Sequence, residues 1–576
     1  MAFAVAATAA CAGLFLLYLG QSRTAPFNSD GAANVLQAQA IIGGNPLLRG
    51  WWTSDVSFYT TELPEYALVT AVRGVTPDVV HVCGALSYTL AVLLAALLAA
   101  SGAARAAAGQ PALDPRVAGC CGAAVAAGIM LAPSILGGSE VFLENPDHAG
   151  TAVPLLALLL LLDRAGPRRF LWCPVLLLLV LAQVGDELSL IVATGPLAAV
   201  CAARLAAGRL VAGRLATGGE RRQDAALITA AVGSVAAAWL TALAIRALGG
   251  FDVRPLGGIA PAALRSVPGN ARLLWQSLVL LFGANQPGAP RTPQAVAAHP
   301  VLAGLADLHI AGLVLAGAGL AAGIAAVAAR RADRVTAVLV TAVAVTVTAS
   351  LFSTLLRSLS NAHEVAVLLP FCAALAGRTL PALPWPGAAR AGRPLAVALT
   401  CWLAVSLAGL GYAAAWPAAA PPQQAVAGWL AGQHQQEGLA GYWQAAATTV
   451  TSGGRVLVAP VVFTTVPAAG ARARAGAAAG AARGAATPAR GAGVPVAQAD
   501  RWESSAAWYQ PGQRTATFVI AVTDPAAPGG GLSTTAVTAR FGMPASRHRI
   551  GQDVILLYRY NLLSRVRGTS FPAERS

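Results

Sequence analysis

The chain has 576 residues, 56% of them hydrophobic and only 11% charged, with a mean hydropathy of +0.62. A soluble chain is about a quarter charged, so the composition excludes an ordinary soluble globular protein. The formal net charge of +15 is carried by arginine alone, and in the apolar part of the chain it sits mostly in short connections; that placement follows the positive-inside rule and not a polyanion groove, so no nucleic-acid partner is expected.

The first apolar segment, 2–20, lacks a basic start and a good cleavage site, and reads as a retained first span and not a leader. Five arginine-bearing connections follow, at 105–116, 164–169, 204–222, 330–334 and 378–393. Placing all five on the cytoplasmic side gives roughly eleven helical spans: 2–20, 79–101, 117–135, 150–162, 170–184, 187–203, 225–249, 308–328, 335–353, 365–377 and 395–415. The N-terminus is then cytoplasmic and everything after 415 extracellular. Segment 64–75 breaks the parity if it crosses, so it is expected to be re-entrant or interfacial.

The expected organisation is a multi-pass membrane domain at 1–415, with a long first exterior loop at 21–78, and an exterior α/β domain at 416–576. In the latter, 424–443 has a helical pattern, while 455–463, 515–522, 535–540 and 554–560 read as strands. Residues 468–493 are an Ala/Gly/Arg low-complexity insertion. All eight cysteines lie in or beside apolar segments and form no CxxC pair, so neither disulfides nor a structural zinc are expected in the tail.

Acidic residues are scarce, and those near membrane depth are costly enough to be functional candidates. Four sets fall on the exterior side. Asn28-Ser29-Asp30 stands at the exit of the first span, where it also reads as a helix cap. The remainder of that loop carries Trp51, Trp52, Asp55, Tyr59 and Glu62, and its aromatics suit an interfacial layer. The second loop holds Glu140, Glu144, Asn145, Asp147 and His148, able to ligate a divalent cation or orient a nucleophile, or simply to form a turn. Asp186-Glu187 is read first as a polar turn. Arg357, Asn361, His363 and Glu364 form the fourth set, with Arg357 either a phosphate ligand or an ion-pair partner.

Together these features resemble the GT-C superfamily of membrane glycosyltransferases, within it the protein mannosyltransferase and aminoarabinose transferase group. The resemblance rests on Asp30 in Asn-Ser-Asp-Gly-Ala after the first span and on Glu62-Leu63-Pro64-Glu65-Tyr66 leading into the second. It rests also on the acid/His set of the second loop and on a tail containing Ala440-Gly441-Tyr442-Trp443 and the 541–558 pattern. The usual paired acid motif is not reproduced, since Gly31 and Ala32 follow Asp30 and the next acid is Asp55.

The resemblance implies transfer of a sugar from a polyprenyl-phosphate carrier to an acceptor on the exterior face of the cytoplasmic membrane, among membrane lipids and in service of the cell envelope. It implies Asp30 as base, Asp147 with Glu144 and His148 as acceptor-orienting groups, and Arg357 with His363 as a phosphate clamp. Glu62 would belong to the substrate site, and Trp51, Trp52 and Tyr59 would border a lipid cavity. Metal dependence stays open, with Asp30, Glu144 and Asp147 as the carboxylates that would hold a divalent cation. A transporter or lipid flippase, and a non-catalytic scaffold of the same architecture, are the alternatives. A transporter would show repeat symmetry and mid-span polar residues, whereas the ionisable residues here collect at loop ends.

Overall fold

The computed structural model describes residues 2–108, 114–131, 138–144, 148–164, 170–207, 210–211, 214–215, 218–253, 259–286, 300–382, 388–466, 494–526 and 530–569. The low-complexity insertion at 468–493 and Asn145, Pro146 and Asp147 lie outside them.

Helices occupy every segment where a span was expected. In chain order they are α1 (Ala2–Ser22), α2 (Ser29–Ile42), α3 (Leu63–Arg73), α4 (Asp78–Ala108), α5 (Pro115–Met130), α6 (Ala152–Arg164), α7 (Trp172–Gly185), α8 (Gly195–Ala206), α9 (Gly218–Ala247), α10 (Val267–Leu281), α11 (Pro300–Ala328), α12 (Arg334–Phe352), α13 (Leu368–Thr379) and α14 (Ala388–Ala414). Five are long and apolar enough to cross a bilayer, 78–108, 218–247, 300–328, 334–352 and 397–414, and α13 with the 3₁₀ segment before it makes a sixth, bent by 49°. The expected count of about eleven is larger because several apolar runs fold into helices of 10–17 residues, among them α5 and α7. Exposed Val232, Trp239 and Leu240 on α9 and Val314 and Ile324 on α11 give these helices an apolar outer surface, as a lipid-facing helix requires.

Helix α3 is only 11 residues, about 16 Å of helix, half a hydrocarbon core. Pro64 starts it and Gly74 (φ 71°) ends it. Leu63, Tyr66, Val69 and Thr70 are buried while Leu68 and Val72 remain exposed and apolar, the pattern of a helix lying at an interface.

The helical part is tied at one end by charge. Arg378 Nη2 at the end of α13 meets Asp163 Oδ1 (2.8 Å) on α6 and Asp333 Oδ2 (2.7 Å) before α12, and Arg105 Nη1 of α4 donates to Asp163 at 2.7 Å. The tail docks on α2, where Ser29 Oγ donates to the Trp443 carbonyl.

In the tail, α15 (Gln424–Gly432), α16 (Tyr442–Thr451) and α17 (Thr534–Phe541) accompany a six-stranded sheet of order β10-β11-β9-β5-β6-β7. Its strands are β5 (Glu437–Ala440), β6 (Leu457–Val466), β7 (Val494–Ala499), β9 (Phe518–Val522), β10 (Ser546–Ile550) and β11 (Asp553–Leu557). Strand alternation gives each face its own core: Phe518 and Ile520 pack with Leu430 and Val458, while Val519 and Ala521 join the main core. The helix expected over 424–443 is split by β5, whose Gly438 lies so close to Phe518 that a Cβ there would meet the ring at 2.2 Å. The strand expected at 535–540 is α17, because Ser533 caps it by accepting from the Ala536 amide at 3.0 Å.

A second, three-stranded sheet joins segments far apart in sequence. β1 (Trp51–Thr53) pairs in parallel with β4 (Asp252–Val253) and antiparallel with β8 (Ser504–Ser505), stitching the first loop to the tail, while β2 (Leu210–Val211) and β3 (Arg214–Leu215) form a separate antiparallel pair.

Candidate active site

A cavity of about 550 Å³ lies where the first loop, the π-helical turn Glu140–Glu144, the 3₁₀ segment Leu359–Val365 and the tail converge. Among its described lining residues are six carboxylates (Asp30, Asp55, Glu140, Glu364, Asp500, Glu503) and two histidines, with no arginine.

Asp30 is placed by its own helix. Asn28 is the cap of α2, its Oδ1 accepting from the Gly31 amide at 3.0 Å, which leaves Asp30 in the first turn with its side chain towards the cavity. Gly31 packs so closely on Val80 of α4 that a Cβ would meet it at 2.7 Å, fixing α2 laterally. Ser29 Oγ donates to the Trp443 carbonyl at 2.7 Å, docking the tail onto the same turn.

The Tyr442 hydroxyl lies between two carboxyls, hydrogen-bonded to Asp30 Oδ1 and 2.5 Å from Glu503 Oε2. A phenol has one proton to donate, so Tyr442 can donate to only one of the two carboxyls at a time. Burial raises Asp30 and the neighbouring Asp55 adds to it, while the Tyr442 hydrogen bond opposes; the balance puts Asp30 at about 6. Tyr442 is itself pushed well above the ordinary phenol range, first by burial and then by the two acids.

His148, in left-handed backbone (φ 57°) that histidine adopts more readily than most residues, lines the same cavity. Its Nδ1 is 2.8 Å from Asp186 Oδ2, and Asp186 Oδ1 accepts from the Leu188 amide at 2.9 Å. Burial alone would raise Asp186, but His148 and the amide hold it below the usual carboxylate range. With Nδ1 committed to Asp186, His148 points Nε2 towards Glu364 (3.8 Å) and stacks on His363 at 5.5 Å between ring centroids. Donor atoms of His148, His363 and Glu364 all lie within 4.8 Å of one another. Two imidazoles and a carboxylate, with a second carboxylate behind one imidazole, fit a divalent cation that retains open positions.

The structure thus brings Asp30, His148 and His363 to one cavity. Glu62 is buried against Gly150, outside the lining. Glu144 accepts from Ser139 Oγ at 3.0 Å and does not line the cavity either. The three-ligand group therefore differs from the expected carboxylates: Asp30 is engaged by Tyr442, Glu144 by Ser139, and Asp147 lies outside the described residues. Arg357 is exposed, its Nε donating to the Thr354 carbonyl at 3.3 Å, yet close enough to act on the charge of Glu364.

Trp51 and Trp52 are not among the described lining of this cavity. They are buried in β1 against Trp508 and Tyr509, at 5.1 and 6.3 Å between ring centroids. Tyr59 packs on Phe251 and donates to the Pro46 carbonyl at 2.7 Å. Sequence reasoning missed the roles of Tyr442, Glu503 and Asp186. Tyr442 stood in the Ala440-Gly441-Tyr442-Trp443 motif, whereas Glu503 carried no signal of its own.

No family model matches the chain, and no curated protein matches it. Among solved structures, an archaeal oligosaccharyltransferase, AglB from Archaeoglobus fulgidus, in complex with an inhibitory peptide and a dolichol-phosphate, is similar at 11% identity with a TM-score of 0.41. The alignment covers 75% of this chain and 60% of that one, so this chain spans well under two thirds of the archaeal protein. ArnT from Cupriavidus metallidurans, bound to undecaprenyl phosphate, is similar at 12% identity and a TM-score of 0.41, over 99% of this chain and all of that one.

Proposed function

We propose that this chain is a GT-C-type glycosyltransferase that moves a sugar from a polyprenyl-phosphate carrier to an acceptor hydroxyl on the exterior face of the membrane. Residues 1–415 form its membrane domain and 416–576 its exterior domain. The observation that carries the reading is Asp30: a half-buried carboxyl at the exit of the first helix, facing the cavity and raised to about 6. Such a group is a stronger base than an ordinary carboxylate and is still ionised at neutral pH, which suits removal of the acceptor hydroxyl proton as the glycosidic bond forms.

The acidic lining bears on the donor. An anionic phosphate entering among six carboxylates is repelled unless a cation accompanies it. His148, His363 and Glu364 would hold such a cation, and when bound it would supply positive charge to the departing lipid phosphate. Arg357, exposed and near enough to act on Glu364, would be a second source of that charge. Asp186 orients His148, and Tyr442 holds Asp30 in place until acceptor displaces it.

The test is transfer of labelled sugar from a polyprenyl-phosphate donor pool in membranes carrying wild type or Asp30→Asn. Transfer by wild type and a loss of at least about a hundredfold in the variant, the scale of a missing general base, is the expected result. Full activity in the variant removes Asp30 as base.

A further inference from the structure

A second cavity of about 490 Å³ adjoins the first, and Val462 and Asp500 line both. Its other walls include Trp52, Asp252, Gln498 and Arg501. These residues come from the elements that stitch the tail to the first loop: Trp52 and Asp252 are register partners across β1 and β4, Gln498 lies on β7, and Arg501 shortly precedes β8.

We infer that this second cavity is the acceptor subsite and that it takes a hydroxyl-rich glycan; the inference rests on the transferase reading above. Two carboxylates can accept hydrogen bonds, the Gln498 amide can both donate and accept, and Arg501 donates. Sugar hydroxyls do both, so a mixed array of this kind matches them. The array is also ordered. Arg501 Nε and Nη2 donate to the Gly568 carbonyl at 3.3 and 3.1 Å, and its guanidinium lies 5.3 Å from the centre of the Trp52 ring. Preorganised side chains lose little freedom on binding.

The geometry disfavours the other acceptor classes. A peptide adding to the sheet needs an open strand edge. The outer edge of β7 at this cavity is taken: the Arg567 amide donates to the Ala497 carbonyl and the Ala499 amide to the Arg567 carbonyl, both at 2.9 Å. An acyl-rich acceptor needs a broad apolar wall, and among the described lining residues only Val462, Ala499 and Trp52 offer one. A glycan lying in this cavity passes Asp500 to place its terminal hydroxyl in the first cavity with Asp30.

The experiment uses the full chain in detergent on an array bearing oligosaccharides and peptides, as wild type, Asp252→Asn, Gln498→Ala and Asp30→Asn. The expected result is retention of a subset of oligosaccharides by wild type and by Asp30→Asn alike. Binding should weaken about tenfold in each second-cavity variant, the scale of a lost hydrogen bond to a polar ligand. In transfer assays the same two variants should raise the acceptor KM with the donor KM unchanged. Retention of peptides instead, retention of nothing by wild type, or glycan binding indifferent to Asp252 and Gln498 each overturns the proposal. Glycan binding that depends on both residues, with no sugar transferred by wild type, leaves the subsite standing and overturns the transferase reading.

Discussion

Asp30 is subject to two opposed neighbours, and each can be removed separately. The Tyr442 hydrogen bond lowers its pKa and the charge of Asp55 raises it. In its proposed role as base, Asp30 would work only when deprotonated, so turnover should fall as pH drops through about 6. Tyr442→Phe removes the lowering contact and should move this acid limb to higher pH; Asp55→Asn should move it to lower pH. Limbs that stay put, or that move together, would mean a different group titrates. Stability runs the other way. Because the folded value of Asp30 lies above its ordinary 3.8, the native state binds more protons between about 3.8 and 6, and its contribution to the fold is lost as pH rises through that window. Asp186 acts at one remove, through His148. Asp186→Asn should weaken Zn²⁺ or Mn²⁺ binding about 10–100-fold by titration calorimetry, as loss of an orienting partner does. Unchanged affinity would exclude His148, His363 and Glu364 as the ligands.

At the level of elements, the charge network opposite the cavity holds the helix ends together. The Arg378 and Asp163 side chains are essentially inaccessible to solvent, and Arg378 ties α13 to α6 and to the start of α12. Arg378→Ala should cost about 3–5 kcal/mol by leaving Asp163 buried with less compensation. An Arg378→Met/Asp163→Leu double variant should lose less, measured as thermal midpoints in detergent; equal midpoints for wild type and Arg378→Ala would make the network ornamental. The arginines of this network stood out in the sequence as the charged connections between apolar runs, and the helices followed from those runs. What escaped was local competition. Ser533 as a cap turned an expected strand into α17, and Gly438, forced by contact with Phe518, placed a strand inside an expected helix. Neither outcome can be read from periodicity, because each depends on a neighbour more than a turn away or on a single side-chain oxygen.

For the molecule as a whole, the site is a joint product of two regions, and this decides what sequence could show. Asp30 and His148 were legible because each stands beside the end of an apolar run. Tyr442 and Glu503 reach Asp30 across more than 400 residues of chain, only because β1 pairs with β8 and α16 packs on α2. On the proposed function, the same architecture would couple donor binding to docking of the tail. A ligand that fills the cavity touches both regions and so stabilises their docked arrangement by its binding free energy. Adding undecaprenyl phosphate with Mn²⁺ to the full chain should therefore slow hydrogen exchange along α16 and around β8, while the amides of β10, at the far edge of the sheet, exchange as before. Protection confined to the long helices would place the lipid phosphate elsewhere on the bundle and separate Asp30 from the donor, since no donor could then meet Asp30 without touching the tail residues that hold it.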